Sequence, residues 1–219
     1  MKKQSGFTLI EALIVVTLAG IIGLVMTDLL YRTFRGANKT YLIGNIKQNG
    51  QTALNIMESN IRFAKEVTCI STTDSSNPKS TVLAVKSSSG KYIVFRYYPL
   101  YDPTADTSTG EFLKPPPHNG FITQEEISAD PSAARGLCNY VPGLRTPVST
   151  REKILTDRDF NNGVSVSSLE FKKTPTASGK DLVSITFTVS PPTEKTSSQR
   201  VENQVTDGGV TFQTSIILR

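Results

Sequence analysis

The 219-residue chain lacks most of the residue types from which enzyme centres are built. It has no tryptophan and a single histidine, His118, which lies beside three consecutive prolines and therefore in a predicted loop. A histidine cluster cannot form, and any histidine-based triad would have to use this one residue. A G-x-S-x-G nucleophile motif and a glycine-rich phosphate loop are also missing. The sequence argues against an enzyme, and we predict no catalytic residue and no cofactor.

The chain also has few cysteines and a small net charge. The two cysteines, Cys69 and Cys138, lie far apart and form no C-x-x-C pair, which argues against a zinc site. The net charge of +5 is modest, and its basic residues are scattered. Because there is no lysine- or arginine-rich block with interleaved aromatics, a nucleic-acid partner is not predicted.

One acidic segment, residues 157–168, begins like a calcium-binding loop with aspartates at its first and third positions. An EF-hand requires glycine at the sixth position and a bidentate carboxylate at the twelfth. Here these positions hold Asn162 and Ser168. We therefore predict a turn that leads into a strand beginning at Val164, and no metal site.

What the chain does have is a long apolar run near its N-terminus, "GFTLIEALIVVTLAGIIGLVM", which contains one carboxylate, Glu11. A cleaved secretory signal is one interpretation, with residues 17–19 as a passable cleavage site, but the apolar run continues beyond them. A plain membrane anchor is the second, since residues 7–27 meet the length of about 20 residues that a bilayer requires. Neither interpretation gives Glu11 a role, although a charge within a membrane span is costly.

A third interpretation gives that carboxylate a partner. Cleavage between Gly6 and Phe7 would create a new α-amine four residues before Glu11. Residues four apart share a helix face, so both charges would lie on the same side. In an array of packed helices, the amine of one subunit could then neutralise Glu11 of its neighbour in a dry environment.

The segment "KKQSGFTLIEALIVVTLAG" resembles the leader of type IV prepilins, with a short basic peptide, a glycine, Phe-Thr-Leu-Ile-Glu and an apolar helix. The resemblance implies that a membrane prepilin peptidase cuts after Gly6 and methylates Phe7, and that Glu11 serves assembly. It also implies other pilin or pseudopilin subunits, an inner-membrane assembly platform and, before assembly, membrane lipid as partners. The N-terminus would stay in the cytoplasm, and the rest would be exported to a pilus, a pseudopilus or the cell surface.

That topology places both cysteines outside the cytoplasm, where disulfides persist. We favour a Cys69–Cys138 bridge over two separate buried thiols. Major pilins of the family often have a proline that breaks the first helix, but this chain has none before Pro78. Whether the helix is broken at one of its glycines stays open.

The sequence after the apolar run predicts an amphipathic helix followed by strands. Apolar residues recur at three- and four-residue spacing from Ile43 to Ala64, as expected for a helix packed on a sheet. Alternating, β-branched segments predict strands at residues 81–86, 91–98, 164–171, 182–189 and 209–218. Residues 99–147, rich in loop residues, are predicted to be a variable loop region.

The predicted fold is α+β, with a long N-terminal helix on a β-rich globular domain. Residues 1–6 form a cleaved leader, 7–30 the transmembrane or filament-core half of the helix, 31–66 its amphipathic half, and 67–219 the extracytoplasmic domain. The segments "LTDRDFNNGVSVSSLEF" and "FQTSIILR" look like those of the W-type minor pilin and the J-type minor pseudopilin of type II secretion. We expect a minor structural subunit of such a filament; the alternative is a membrane-anchored adhesin or binding module outside any filament.

Overall fold

The computed structural model describes residues 8–70, 79–100, 118–128, 137–138, 151–159, 163–176, 180–192 and 209–218. Within these ranges it contains one α-helix and nine β-strands. The chain divides into two compact units, Met1–Leu42 and Ile43–Arg219. The fold is α+β, as predicted.

The helix, α1, runs without interruption from Leu9 to Arg62. None of its glycines breaks it, which answers the question that the missing proline left open. It ends four residues before the predicted boundary at residue 66, because the chain enters strand β1 at Ala64. Val67, Thr68 and Ile70 are β-branched and favour this extended conformation.

The strands form two antiparallel sheets. The five-stranded sheet has the order β1-β3-β4-β5-β6, and the four-stranded sheet has the order β2-β7-β8-β9. The strand bounds are β1 Ala64–Ile70, β2 Lys79–Ser80, β3 Val82–Ser87, β4 Tyr92–Tyr98, β5 Phe121–Ile127, β6 Lys153–Ile154, β7 Ser165–Pro175, β8 Asp181–Ser190 and β9 Val210–Ile217.

All five predicted strands are present, as β3, β4, β7, β8 and β9. Strand β5 corrects the prediction that residues 99–147 are loop: Phe121–Ile127 pairs with the whole of β4. Its two glutamates interrupt the hydrophobic alternation that sequence reasoning looks for. They are accommodated because Glu125 pairs with Arg96 on the neighbouring strand β4 and Glu126 pairs with Lys91, just before that strand. The other parts of the segment, 101–117, 129–136 and 139–147, lie outside the described residues.

The second half of α1 closes the core of the domain. Its predicted apolar stripe is buried, at Ile46, Gly50, Ala53, Leu54, Met57 and Ile61. Gly50 lies directly against the ring of Phe212 on β9, and no Cβ would fit between them. Phe212 in turn stacks on Phe187 of β8, with ring centroids 5.2 Å apart. The prediction that this half of the helix packs on a sheet is confirmed.

Candidate assembly segment

Of the residues predicted for cleavage, methylation and assembly, the structure describes Glu11, which lies in the first turn of α1. Gly6 and Phe7 lie outside the described residues. Thr8 precedes the helix, and its side-chain oxygen accepts a hydrogen bond of 3.4 Å from the backbone N–H of Glu11. This is the arrangement of an N-cap threonine with an acidic residue three positions later. Glu11 therefore lies in the first helical turn, where the helix dipole favours a negative charge.

Large apolar side chains beyond Glu11 are not packed against anything in the described chain. Fourteen of them between Leu9 and Leu30 are at least 53% exposed. In the described residues α1 is the one helix that is long and apolar enough to cross a membrane. Exposure on this scale fits a helix whose natural surroundings are apolar.

Polar side chains inside the apolar segment satisfy themselves within the helix. The Thr17 hydroxyl donates to the carbonyl oxygen of Ile14 at 2.8 Å, and that of Thr27 donates to the carbonyl oxygen of Gly23 at 2.8 Å. Such bonds remove the cost of placing a hydroxyl in a medium without water. Glu11 is the one ionisable group between Leu9 and Thr27, and it needs a partner from outside its own helix if water is excluded.

A comparison with protein families bears directly on this segment. Residues 1–27 match the prokaryotic N-terminal methylation motif. The N-terminus is prepilin-like. The motif is characteristic of type IV prepilin-like proteins, and its matched range contains Gly6, Phe7 and Glu11. No curated protein and no solved structure shows a significant match to the chain. The likeness to W-type minor pilins and J-type minor pseudopilins stays a prediction.

The predicted disulfide is present between Cys69 of β1 and Cys138, whose Cα atoms lie 6.1 Å apart. Cys138 is buried in a small cluster with Val82, Ala84 and Val94 of strands β3 and β4. The bridge therefore fixes residues 137–138 to one face of the five-stranded sheet.

Sequence reasoning missed a buried ion-pair network on the same sheet. The Arg96 guanidinium contacts Glu125 Oε2 at 2.6 Å and Glu152 Oε1 at 3.0 Å. The Tyr98 hydroxyl donates to Glu152 Oε1 at 3.0 Å. These partners are 29 to 56 positions apart in the chain, so no local pattern could have revealed them. Their role here is to join β4, β5 and the segment that leads into β6.

Two backbone hydrogen bonds join the described residues on either side of positions 160–162 in the acidic segment. The carbonyl oxygen of Asp157 accepts from Val164 N at 2.9 Å, and that of Asp159 accepts from Gly163 N at 3.0 Å. The amide of Asp157 donates to Asn49 Oδ1 on α1 at 3.0 Å, which attaches the segment to the helix. Asn161 and Asn162 lie outside the described residues. Among the residues that are described, no group of three potential metal ligands occurs.

Proposed function

We propose that this protein is a structural subunit of a type IV pilus or of a related secretion pseudopilus. The matched methylation motif is the observation that carries the proposal. The exposed apolar half of α1 supports it, because this surface needs either a bilayer or neighbouring helices to cover it. The protein acts by assembling and has no catalytic role of its own.

Processing and assembly use three residues. A prepilin peptidase cuts after Gly6 and methylates the new amine of Phe7. Glu11 then pairs with the amine of a neighbouring subunit as the helix leaves the membrane. The membrane-spanning half of the helix keeps its N-terminus in the cytoplasm, and an inner-membrane assembly platform adds the subunit to the filament. The unit Ile43–Arg219 is large for a filament's repeating unit, which favours a minor subunit.

The mass of the mature N-terminus tests the processing step. Protein purified from cells should have lost residues 1–6 and carry one additional methyl group on Phe7. Gly6→Val should leave the full-length chain in the membrane, because the peptidase must admit this residue into a tight site. Gly20→Val is the matched control: it makes the same change inside α1, where no neighbouring atom would contact an added Cβ, and it should be processed normally. Normal trimming of Gly6→Val would contradict the proposal.

The alternative function is a membrane-anchored adhesin or binding module that never enters a filament. It would use the surface around residues 99–147 for contacts. Isolated filaments distinguish the two functions, since a subunit copurifies with sheared filaments whereas an anchored adhesin stays with the membrane fraction.

A further inference from the structure

Three basic residues share one face of α1 just beyond its apolar run. Arg32, Arg35 and Lys39 lie at positions i, i+3 and i+7, which brings them onto the same side of a helix. Asp28 lies one turn before them on this face, and its Oδ2 is 2.9 Å from Arg32 Nε. The side chains of Arg32 and Asp28 are 74% and 57% exposed. We call Arg32, Arg35 and Lys39 the basic stripe.

Two aromatic side chains accompany the basic stripe. Tyr31 and Phe34 are 52% and 67% exposed on the helix surface, between the apolar run and the end of the stripe. Exposed aromatic rings are unusual on a water-facing helix, but they are enriched where a membrane span meets the headgroup layer.

The distances place the start of the stripe just beyond that layer. At a rise of 1.5 Å per residue, Arg32 and Arg35 follow the last residue of the run, Thr27, by about 7.5 and 12 Å. The headgroup layer on each side of a bilayer is about 5–7 Å thick. Helix side chains lean toward the N-terminus, so both arginines reach back toward the headgroups. Lys39, about 18 Å from Thr27 by the same rise, contributes through longer-range electrostatics.

The positive charge of the basic stripe is unexpected on this side of the membrane span. Basic residues near a span usually lie on the side that stays in the cytoplasm. This chain has Lys2 and Lys3 on that side, yet it places the basic stripe on the side proposed to be exported. Since these charges oppose the usual insertion bias, they need a role that offsets it.

We propose that the basic stripe, with Tyr31 and Phe34, binds anionic phospholipid headgroups at the outer face of the membrane that the helix spans. This inference rests on the proposed function, because it requires that α1 is inserted in a bilayer. Binding sets the depth of the span while the subunit waits for assembly. The headgroup phosphates are opposite in charge to the stripe, and they are contiguous with the lipid around the apolar run.

The absence of tryptophan from the chain allows a direct test. Phe34→Trp introduces a single tryptophan beside the stripe, and it can be excited selectively over the seven tyrosines of the chain. The full chain carrying this change is reconstituted into phosphatidylcholine vesicles that contain brominated phosphatidylglycerol or, at equal mole fraction, brominated phosphatidylcholine. Quenching by the anionic lipid should exceed quenching by the zwitterionic lipid about fivefold, which is the enrichment expected from the net charge of one that Arg32 and Arg35 leave after Asp28 is subtracted. High salt should reduce this preference.

A charge-matched pair of variants identifies the source of the preference. In the Phe34→Trp background, replacing Arg32, Arg35 and Lys39 with glutamine should abolish it. Replacing Lys65, Lys153 and Lys180, three exposed lysines of the domain, with glutamine removes the same charge and should preserve it.

Four results would overturn the inference, and they differ in whether the proposed function survives. Equal quenching by the two lipids shows a span without headgroup selection, and the proposed function survives. A preference that persists in the stripe variant shows that other residues select the lipid. No quenching by either lipid shows that the helix is not inserted, which contradicts the proposed function as well. Equal quenching combined with failure of the stripe variant to enter filaments would assign the stripe to contacts with a neighbouring subunit.

Discussion

The two units of the chain differ in the exposure of their apolar side chains, although helix α1 contributes to both. In the unit Met1–Leu42 the large apolar side chains from Leu9 to Leu30 are exposed. In the unit Ile43–Arg219 the stripe on the same helix is buried, with Met57 and Ile61 completely covered. The second unit therefore carries its own core. The described residues of the first unit, 8–42, form no core, and their stability depends on what surrounds them.

The largest expected effect concerns the first unit alone. Glu11→Ala should be cleaved normally and accumulate in the membrane without entering filaments. Removing one side of a buried ion pair typically costs about 3–5 kcal/mol, because the remaining charge is left without a partner. This loss falls on the assembled state, where the neighbouring amine of Phe7 is cut off from water. Glu11→Gln should fail for the same reason.

Incorporation into sheared filaments measures the effect of these Glu11 variants. The matched control is Glu126→Gln, which removes an exposed carboxylate of the second unit that pairs with Lys91 at 2.9 Å. This control should assemble like the wild type. Wild-type incorporation of Glu11→Ala would show that the carboxylate has no pairing role.

The second prediction concerns the second unit alone. Replacing both Cys69 and Cys138 with serine should lower the domain's free energy of unfolding by about 4 kcal/mol, the chain-entropy value for a loop of this length. Urea unfolding of the full chain, followed by near-ultraviolet circular dichroism, measures it. Wild-type protein with reduced cysteines should behave like the double variant. Peptidase cleavage should be unchanged, since that site lies in the first unit; a change of less than about 1 kcal/mol would contradict the entropic role.

A pair of glycine variants sharpens the boundary between the units. Gly50→Ala places a methyl group into the ring of Phe212 and should destabilise the domain by about 1–3 kcal/mol, as overpacked cores do. Gly36→Ala makes the same chemical change where nothing lies within 4 Å. It should favour the helix by about 0.8–1.0 kcal/mol and leave domain unfolding unchanged. Equal effects of both variants on urea unfolding would contradict the contrast between the units.

The smallest expected effect is a pH dependence within the domain. Burial lowers the pKa of His118 from its usual 6.5, and its ring packs edge-on against Phe121. The folded protein therefore holds a neutral ring where the unfolded chain would bind a proton. This contribution to stability is complete above pH 6.5 and is lost as the pH falls below that value.

His118→Gln should flatten the dependence of stability on pH just below pH 6.5. Comparing urea unfolding of wild type and variant at pH 8 provides the control, because both side chains are then neutral whether the chain is folded or unfolded. An identical slope below pH 6.5 in the two proteins would show that His118 does not contribute.

Local chemistry explains which features could be predicted from the sequence. The apolar run, the stripe from Ile43 to Ala64 and the alternating strands each depend on periodicity within a short window. The helix end was placed four residues late, because Phe63 and Ala64 continue the apolar pattern into strand β1. Helix and strand propensities alone do not show where a helix ends and a strand begins at such a boundary.

Strand β5 and the Arg96 network could not be predicted for a different reason. The largely buried Glu125 of β5 is neutralised by Arg96 across the strands, and the exposed Glu126 is hydrated and pairs with Lys91. Whether a charged segment is a loop or a strand was therefore decided by residues about thirty positions away. The disulfide could be predicted because it followed from compartment and cysteine count, whereas its burial against Val82 and Val94 required the fold.

The disulfide also has a mechanical consequence. Cys69 and Cys138 are 69 positions apart, and an extended chain spans about 3.3–3.6 Å per residue. When tension enters through α1 and leaves through the last strand, the bridge carries it directly from β1 to the region of Cys138. The enclosed chain, about 230–250 Å when extended, therefore bears no load, and strands β2, β3, β4 and β5 lie within it. In a filament subunit with this bridge, tension can therefore extend a much shorter length of chain.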